Sequence, residues 1–169
     1  KAVKVLGENR LIHVYGPTET TIFATYFLID YSILNSKRVP IGQPINDTQI
    51  YILDSNLKPV PRGIQGEIYI GGRGVAQGYI NSSELTDKHF IPNLFDDSKT
   101  RLYKTGDLGC FLPDGNIEFL GRIDNQVKIR GYRVEIEEIE NLIMQHSYVK
   151  EAVINIVGDM NLIAYITLH

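Results

Sequence analysis

The sequence predicts an α+β fold: a mainly β, barrel-like subdomain, then a small α+β subdomain of hairpin, helix and antiparallel sheet. Three observations predict it. Residues 23–120 hold a succession of short apolar runs, among them TQIYILD, GEIYIGG and NIEFLGR. Turn signals (GQP, VPRG, GGRG, PDG) punctuate these runs, as expected for a barrel or a bent antiparallel sheet. Further on, EIEEIENLIMQH places Ile136, Ile139 and Ile143 on one helical stripe, and two β-like runs, EAVINIV and NLIAYITL, follow it.

Taken in order, RLIHVYG (10–16) reads as a buried strand running into a turn. SSELTDKHF reads as a helix with Ser82 or Ser83 as its N-cap. In PDG (113–115), Pro113 presets φ and Gly115 can take a positive φ, so a turn is expected there. QVKIRGYRVEI alternates apolar and charged residues about Gly131 and reads as a hairpin. The change of pattern puts a domain boundary at Arg122–Asn125. The chain starts with Lys1 and stops inside an alternating run, so both ends look cut from something longer.

Composition narrows the function. The 169 residues are 43% hydrophobic with a net charge of -3, so a packed core is expected and bulk disorder is not. The negative charge argues against nucleic acid or an anionic membrane as partner. One cysteine, Cys110, rules out an internal disulfide and a multi-cysteine metal site, and fits a cytoplasmic location. No apolar run is long enough to cross a bilayer. His13, His89, His146 and His169 lack metal-ligand spacing, and no Ser/His/Asp or Cys/His nucleophile set is visible.

Four stretches could carry chemistry. VYGPTETT (14–21) sets Thr18 beside Glu19 on a tight turn. A hydroxyl next to a carboxylate suits a Mg²⁺–phosphate station, because the ion turns carboxylate–phosphate repulsion into attraction. Tyr15 offers a face for a stacked base. A plain β-turn whose Thr and Glu cap the next element is the alternative. GGRGVAQGY (71–79) is neither a Walker loop nor a dinucleotide fingerprint, and marks tight turns between strands. YKTGDLG (103–109) puts Asp107 after a Thr-Gly corner, where a carboxylate could accept two ribose hydroxyls or simply fix a turn. On the 121–135 hairpin, Lys128 and Arg130 share a face that could meet phosphates or stay solvated, and Gly131 at the tip permits close backbone approach.

The order of the motifs is more telling than any one of them. VYGPTETT, GEIYIGGRGVAQGY, YKTGDLG and GRIDNQVKIRGYRVEIEEIE resemble successive core motifs of adenylate-forming enzymes. The resemblance covers essentially the whole chain and is strongest to the amino-acid-activating adenylation domains of nonribosomal peptide synthetases. It implies residues 1–20 as the tail of a large N-terminal subdomain, 21–123 as a β-barrel subdomain and 124–169 as an incomplete, mobile C-terminal subdomain. It also implies site roles. Tyr15 would stack on adenine with Gly16 at the corner, Thr18 would hold a phosphate of ATP or AMP, and Glu19 the Mg²⁺. Asp107 would bind the ribose, Arg122 would sit near ribose and phosphate, and Phe119 would stand where a Tyr is common. Val14, Ile22 and Phe23 would line the amino-acid pocket, and Asp124 would be the hinge. Lys128, Arg130 and Gly131 would swing beside the phosphopantetheine arm of a peptidyl-carrier domain, with a condensation domain elsewhere on the parent chain. His13 departs from a usual Asn.

The resemblance further implies that the phosphate loop and the pocket aspartate lie upstream and a catalytic lysine downstream, so the isolated chain is expected to be inactive. Exposed apolar surface and self-association are expected with it. An acyl-CoA synthetase or D-alanine–carrier ligase is the near alternative, and a non-catalytic interaction module of the same fold the distant one.

Overall fold

Alternation of apolar side chains along a strand builds one core when one face is covered, and two when both are. In GEIYIGG, Ile68 and Ile70 face one way and Tyr69 the other, and all three are buried. The sheet containing them is therefore packed on both sides. The computed structural model describes residues 2–36, 38–96, 99–123, 127–129, 132–158 and 161–169. The chain divides into two compact units, Lys1–Ile123 and Asp124–His169.

The first unit opens with a short helix, α1 (Ala2–Leu6), and strand β1 (Leu11–Tyr15). β1 pairs antiparallel with β2 (Thr25–Ile29), which pairs with β3 (Gln43–Pro44). Pairing thus crosses position 20, where the sequence reading sets the end of an N-terminal tail. A five-stranded antiparallel sheet follows, in the order β4 (Thr48–Leu53), β5 (Gly66–Gly72), β7 (Arg101–Phe111), β6 (Phe90–Pro92), with β8 (Ile117–Arg122) also on β7. Ala24, Ile41, Ile52, Ile68, Ile70 and Ile117 pack into one cluster on this sheet, and Leu53, Tyr69 and Leu102 form another. Each large apolar side chain among them contributes about 1.5–3 kcal/mol on burial.

The two sheets are joined at Gly42. Ile41 N–H donates to Ile117 C=O, and Ile117 N–H donates to Gly42 C=O, both at 2.8 Å. Thr25, fully buried, donates its hydroxyl to Ile41 C=O at 2.6 Å, so its polar group enters the core satisfied.

Helix α2 (Ser83–His89) has Ser82 at its N-cap, but the Ser82 side chain makes no cap bond. The hydroxyl of Thr86 donates back to Ser82 C=O at 2.8 Å instead. The PDG turn forms as expected: Gly115 has φ +86° and its N–H donates to Leu112 C=O.

The second unit holds β9 (Val127–Ile129) paired with β10 (Tyr132–Val134), helix α3 (Ile136–Met144), and the antiparallel pair β11 (Val149–Val157) and β12 (Asn161–Leu168). α3 packs on β11, where Val149, Ala152 and Ile154 are buried. The Ile136/Ile139/Ile143 stripe is its more buried side, whereas Leu142 is exposed. The Glu140 carboxylate accepts Ile154 N–H at 2.7 Å, tying helix to strand. Every residue of β12 is exposed. The fold is α+β and mainly strand, as expected. Among the described residues, no helix is long and apolar enough to cross a membrane.

Candidate functional site

Three of the residues nominated from sequence, Tyr15, Asp107 and Arg122, meet at one end of the β7–β8 pair. β7 does not stop at a Thr-Gly corner. It runs on through residue 111 and absorbs Thr105–Asp107 as a bulge. Between the pairs Tyr69↔Lys104 and Glu67↔Leu108, β5 supplies Ile68 alone, while β7 supplies Thr105, Gly106 and Asp107. Bulges re-aim side chains and leave ladder groups that need other partners. Thr105 donates its hydroxyl to Ile68 C=O at 2.7 Å and accepts Asp107 N–H at 2.9 Å. Ile123 N–H donates to Gly106 C=O at 2.8 Å. Gly106 has φ +72°, a left-handed conformation that favours glycine.

The bulge delivers Asp107, only 6% exposed, to Tyr15 and Arg122. The Tyr15 hydroxyl donates to Oδ2 at 2.5 Å, across 92 positions of sequence. Arg122, the cross-strand partner of Asp107, donates to Oδ1 at 2.6 Å. Burial and then the Asp107 charge push the Tyr15 phenol well above the ordinary value of 10.0. The folded state thus keeps this proton while the unfolded chain loses it above pH 10. The resulting stability is fully present below that pH and drains away as pH rises further. In alkaline unfolding titrations, Tyr15→Phe should flatten the fall that begins near pH 10. The Tyr15 ring is tilted against Phe119, centroids 6.4 Å apart.

Gly16 turns the chain immediately afterwards. A Cβ there would lie 2.7 Å from Ala24 N and 2.8 Å from Ile22 C=O, so only glycine lets the two segments pass. Thr18–Thr20 then forms a single 3₁₀ turn. Its tight pitch separates the two neighbours read as a pair: Thr18 is exposed, and Glu19 is buried at 8%.

The Gly-rich stretch does more than turn. It straps the Thr-Glu-Thr turn from outside. Thr21 donates its hydroxyl to Gly74 C=O at 2.9 Å, Ala76 N–H donates to Glu19 C=O at 2.8 Å, and the Tyr79 hydroxyl donates to Glu19 Oε1 at 2.7 Å. Tyr79 is fixed in turn by its N–H to the Thr86 hydroxyl and by its edge on Phe90. Sequence reasoning missed Thr21, Thr105 and Tyr79 as site residues, because their partners lie 53, 37 and 60 positions away. The phenol ending the glycine run was the one available cue.

Val14, Ile22 and Phe23 are 37%, 69% and 48% exposed, on the β1–β2 sheet and the loop between its strands. His13 contacts Pro40 C=O through Nδ1 at 2.7 Å. Lys128 lies in β9 opposite Arg133. Asp124, Arg130 and Gly131 lie outside the described residues.

Glu19 and Thr18 are hard oxygen donors of the kind Mg²⁺ takes. Among the described residues, no group of three or more His, Cys, Asp or Glu is placed to hold a metal. An ion at Glu19 would therefore draw its other ligands from phosphates and water, which is the usual Mg²⁺ arrangement.

The sequence model of the family described as AMP-binding enzyme matches residues 1–80. Surfactin synthase subunit 1 of Bacillus subtilis (strain 168) is 47% identical over 98% of this chain, and bacitracin synthase 1 of Bacillus licheniformis is 47% identical over 100%. The chain spans 5% and 3% of those two proteins. Among solved structures, PA1221, described as a nonribosomal peptide synthetase protein containing adenylation and PCP domains, superposes with a TM-score of 0.81. It is 29% identical, and the match covers 94% of this chain and 33% of that one. Sequence motifs that meet around one buried carboxylate thus stand in a chain that shares both sequence and fold with these proteins: the chain belongs to the AMP-binding enzyme family, as part of a peptide-synthetase adenylation domain.

Proposed function

We propose that the protein carrying this chain activates an amino acid with ATP and passes the aminoacyl group to the phosphopantetheine thiol of a carrier domain. The observation that carries the reading is the convergence of Tyr15 and Arg122 on the buried carboxylate of Asp107. A carboxylate offers about four acceptor positions, so these bonds are compatible with hydroxyl donors from a ribose. Arg122 supplies positive charge for the adjoining phosphate, and Tyr15 and Phe119 supply apolar ring surface beside it for the base.

At Thr18–Glu19, the exposed hydroxyl would donate to a phosphate oxygen while the strapped carboxylate would hold Mg²⁺. Bound there, the ion would offset phosphate charge and ease attack of the substrate carboxylate on the α-phosphorus. Attack forms a mixed anhydride and expels pyrophosphate. A thiolate then attacks the acyl carbon and expels AMP. Val14, Ile22 and Phe23 would make this part of the amino-acid pocket apolar.

The test is ATP–pyrophosphate exchange by the complete protein against amino, fatty and aryl acids, followed by carrier loading. One amino acid driving exchange is the expected result. Exchange with only a non-amino acid would move the assignment to an acyl or aryl ligase. No exchange by protein that binds ATP would leave an interaction module.

A further inference from the structure

Asp107 is aimed by a bulge, and one backbone group of that bulge is satisfied by a side chain from a neighbouring strand. The Gly106 N–H donates to Glu67 Oε1 at 3.0 Å. Glu67 Oε2 accepts the Tyr69 hydroxyl at 3.1 Å and lies 3.8 Å from Lys104 Nζ. The Glu67 side chain is only 11% exposed, against 43% for Lys104. This carboxylate is therefore held from two sides and spends one oxygen on the peptide that precedes Asp107. With Thr105, it replaces the ladder bonds that β5 cannot supply across the extra residues of β7.

We infer that Glu67 is a positioning residue for nucleotide binding: by fixing the Gly106 peptide it sets where the Asp107 carboxylate stands. The inference deepens the proposed function and rests on its assignment of the ribose to Asp107. A part-buried peptide N–H that loses its acceptor turns toward another acceptor or toward water. At Gly106, which has no Cβ to restrain it, that rotation is easy. Its neighbour would then carry the ribose-binding oxygens away from the hydroxyls, while the Thr18–Glu19 turn would be untouched. Position of the acceptor matters here more than charge. Glu67→Gln keeps an oxygen at the same reach, whereas Glu67→Asp keeps the charge but withdraws it from Gly106.

The experiment measures binding of ATP and of 2′,3′-dideoxy-ATP by calorimetry in the complete protein, for the wild type, D107N, E67M, E67D and E67Q, with folding checked by circular dichroism. The wild type should prefer ATP, and D107N should lose the preference. E67M and E67D should lower the preference by about tenfold, the worth of a well-placed hydrogen bond, while E67Q retains it. Folded E67M and E67D with an unchanged preference would overturn the role of Glu67. So would loss of the fold in both, which would make the residue purely structural. A D107N protein that still prefers ATP would instead overturn the ribose assignment itself, and the role of Glu67 with it.

Discussion

Gly42→Ala should leave the first unit unfolded or close to it. A Cβ at this position would stand 1.8 Å from Tyr26 C=O oxygen and 2.7 Å from Phe27 N, distances at which the backbone itself must move. The φ of +85° adds strain that any L side chain feels. Among the described residues, the strand bridge between the three-stranded and five-stranded sheets runs through this residue and Ile117, so the displacement reaches both sheets. A loss of about 3–5 kcal/mol is expected, against a total of about 5–15 kcal/mol for a typical domain. Urea unfolding of the two glycine variants makes the comparison. Gly63→Ala is the control: φ there is +80°, but a Cβ meets nothing within 4 Å, so only the conformational cost of about 1 kcal/mol should appear. Equal losses in both would show that φ, not the close approach, sets the cost.

Asp107→Ala should damage stability and activity together. The Asp107 and Arg122 side chains are 9% and 21% exposed, so deleting the carboxylate takes away a partner that a guanidinium and a phenol both use. Removing one member of such a pair costs about 2–4 kcal/mol, after allowing for the partial exposure of Arg122. Arg122→Met on top of it removes the charge that Asp107 offsets and should restore part of the loss, which a double-mutant cycle in urea would read as a coupling energy. Exchange by the complete protein should fall at least about a hundredfold in Asp107→Ala, because both the proposed ribose contact and the placement of Tyr15 and Arg122 go with it. It should not recover in the double variant. Activity returning along with stability would mean that the pair is only a brace.

The sequence made the elements plain where one physical signal dominates. The apolar stripe of α3, the alternation in β11 and β12, and the turn at Pro113–Gly115 are local, and each formed. Asp107 and Arg122 were also nominated, but as separate residues. Their meeting depends on the β7–β8 register and on a bulge that alternation cannot register, since YKTGDLG reads equally well as a corner. Glu19 shows the same limit. Its neighbour Thr18 is adjacent in sequence, yet a 3₁₀ turn sends one side chain to solvent and the other to Tyr79. The strap over that turn was least legible, because glycines state that the backbone bends and are silent on what it bends around.

Residues 14–23 therefore divide into two kinds of position. Gly16 and the turn at 18–21 are clamped by backbone contacts and by the strap, so substitutions there should be punished. Val14, Ile22 and Phe23 project from the same ten residues toward solvent. Exchanging such side chains ordinarily shifts stability by no more than about 0.5 kcal/mol. The molecule thus keeps its constrained positions and its freely variable ones interleaved within one short stretch of chain. If the proposed pocket assignment holds, a mutational library confined to 14, 22 and 23 would vary the acyl side of the site while the clamped turn beside it stays fixed.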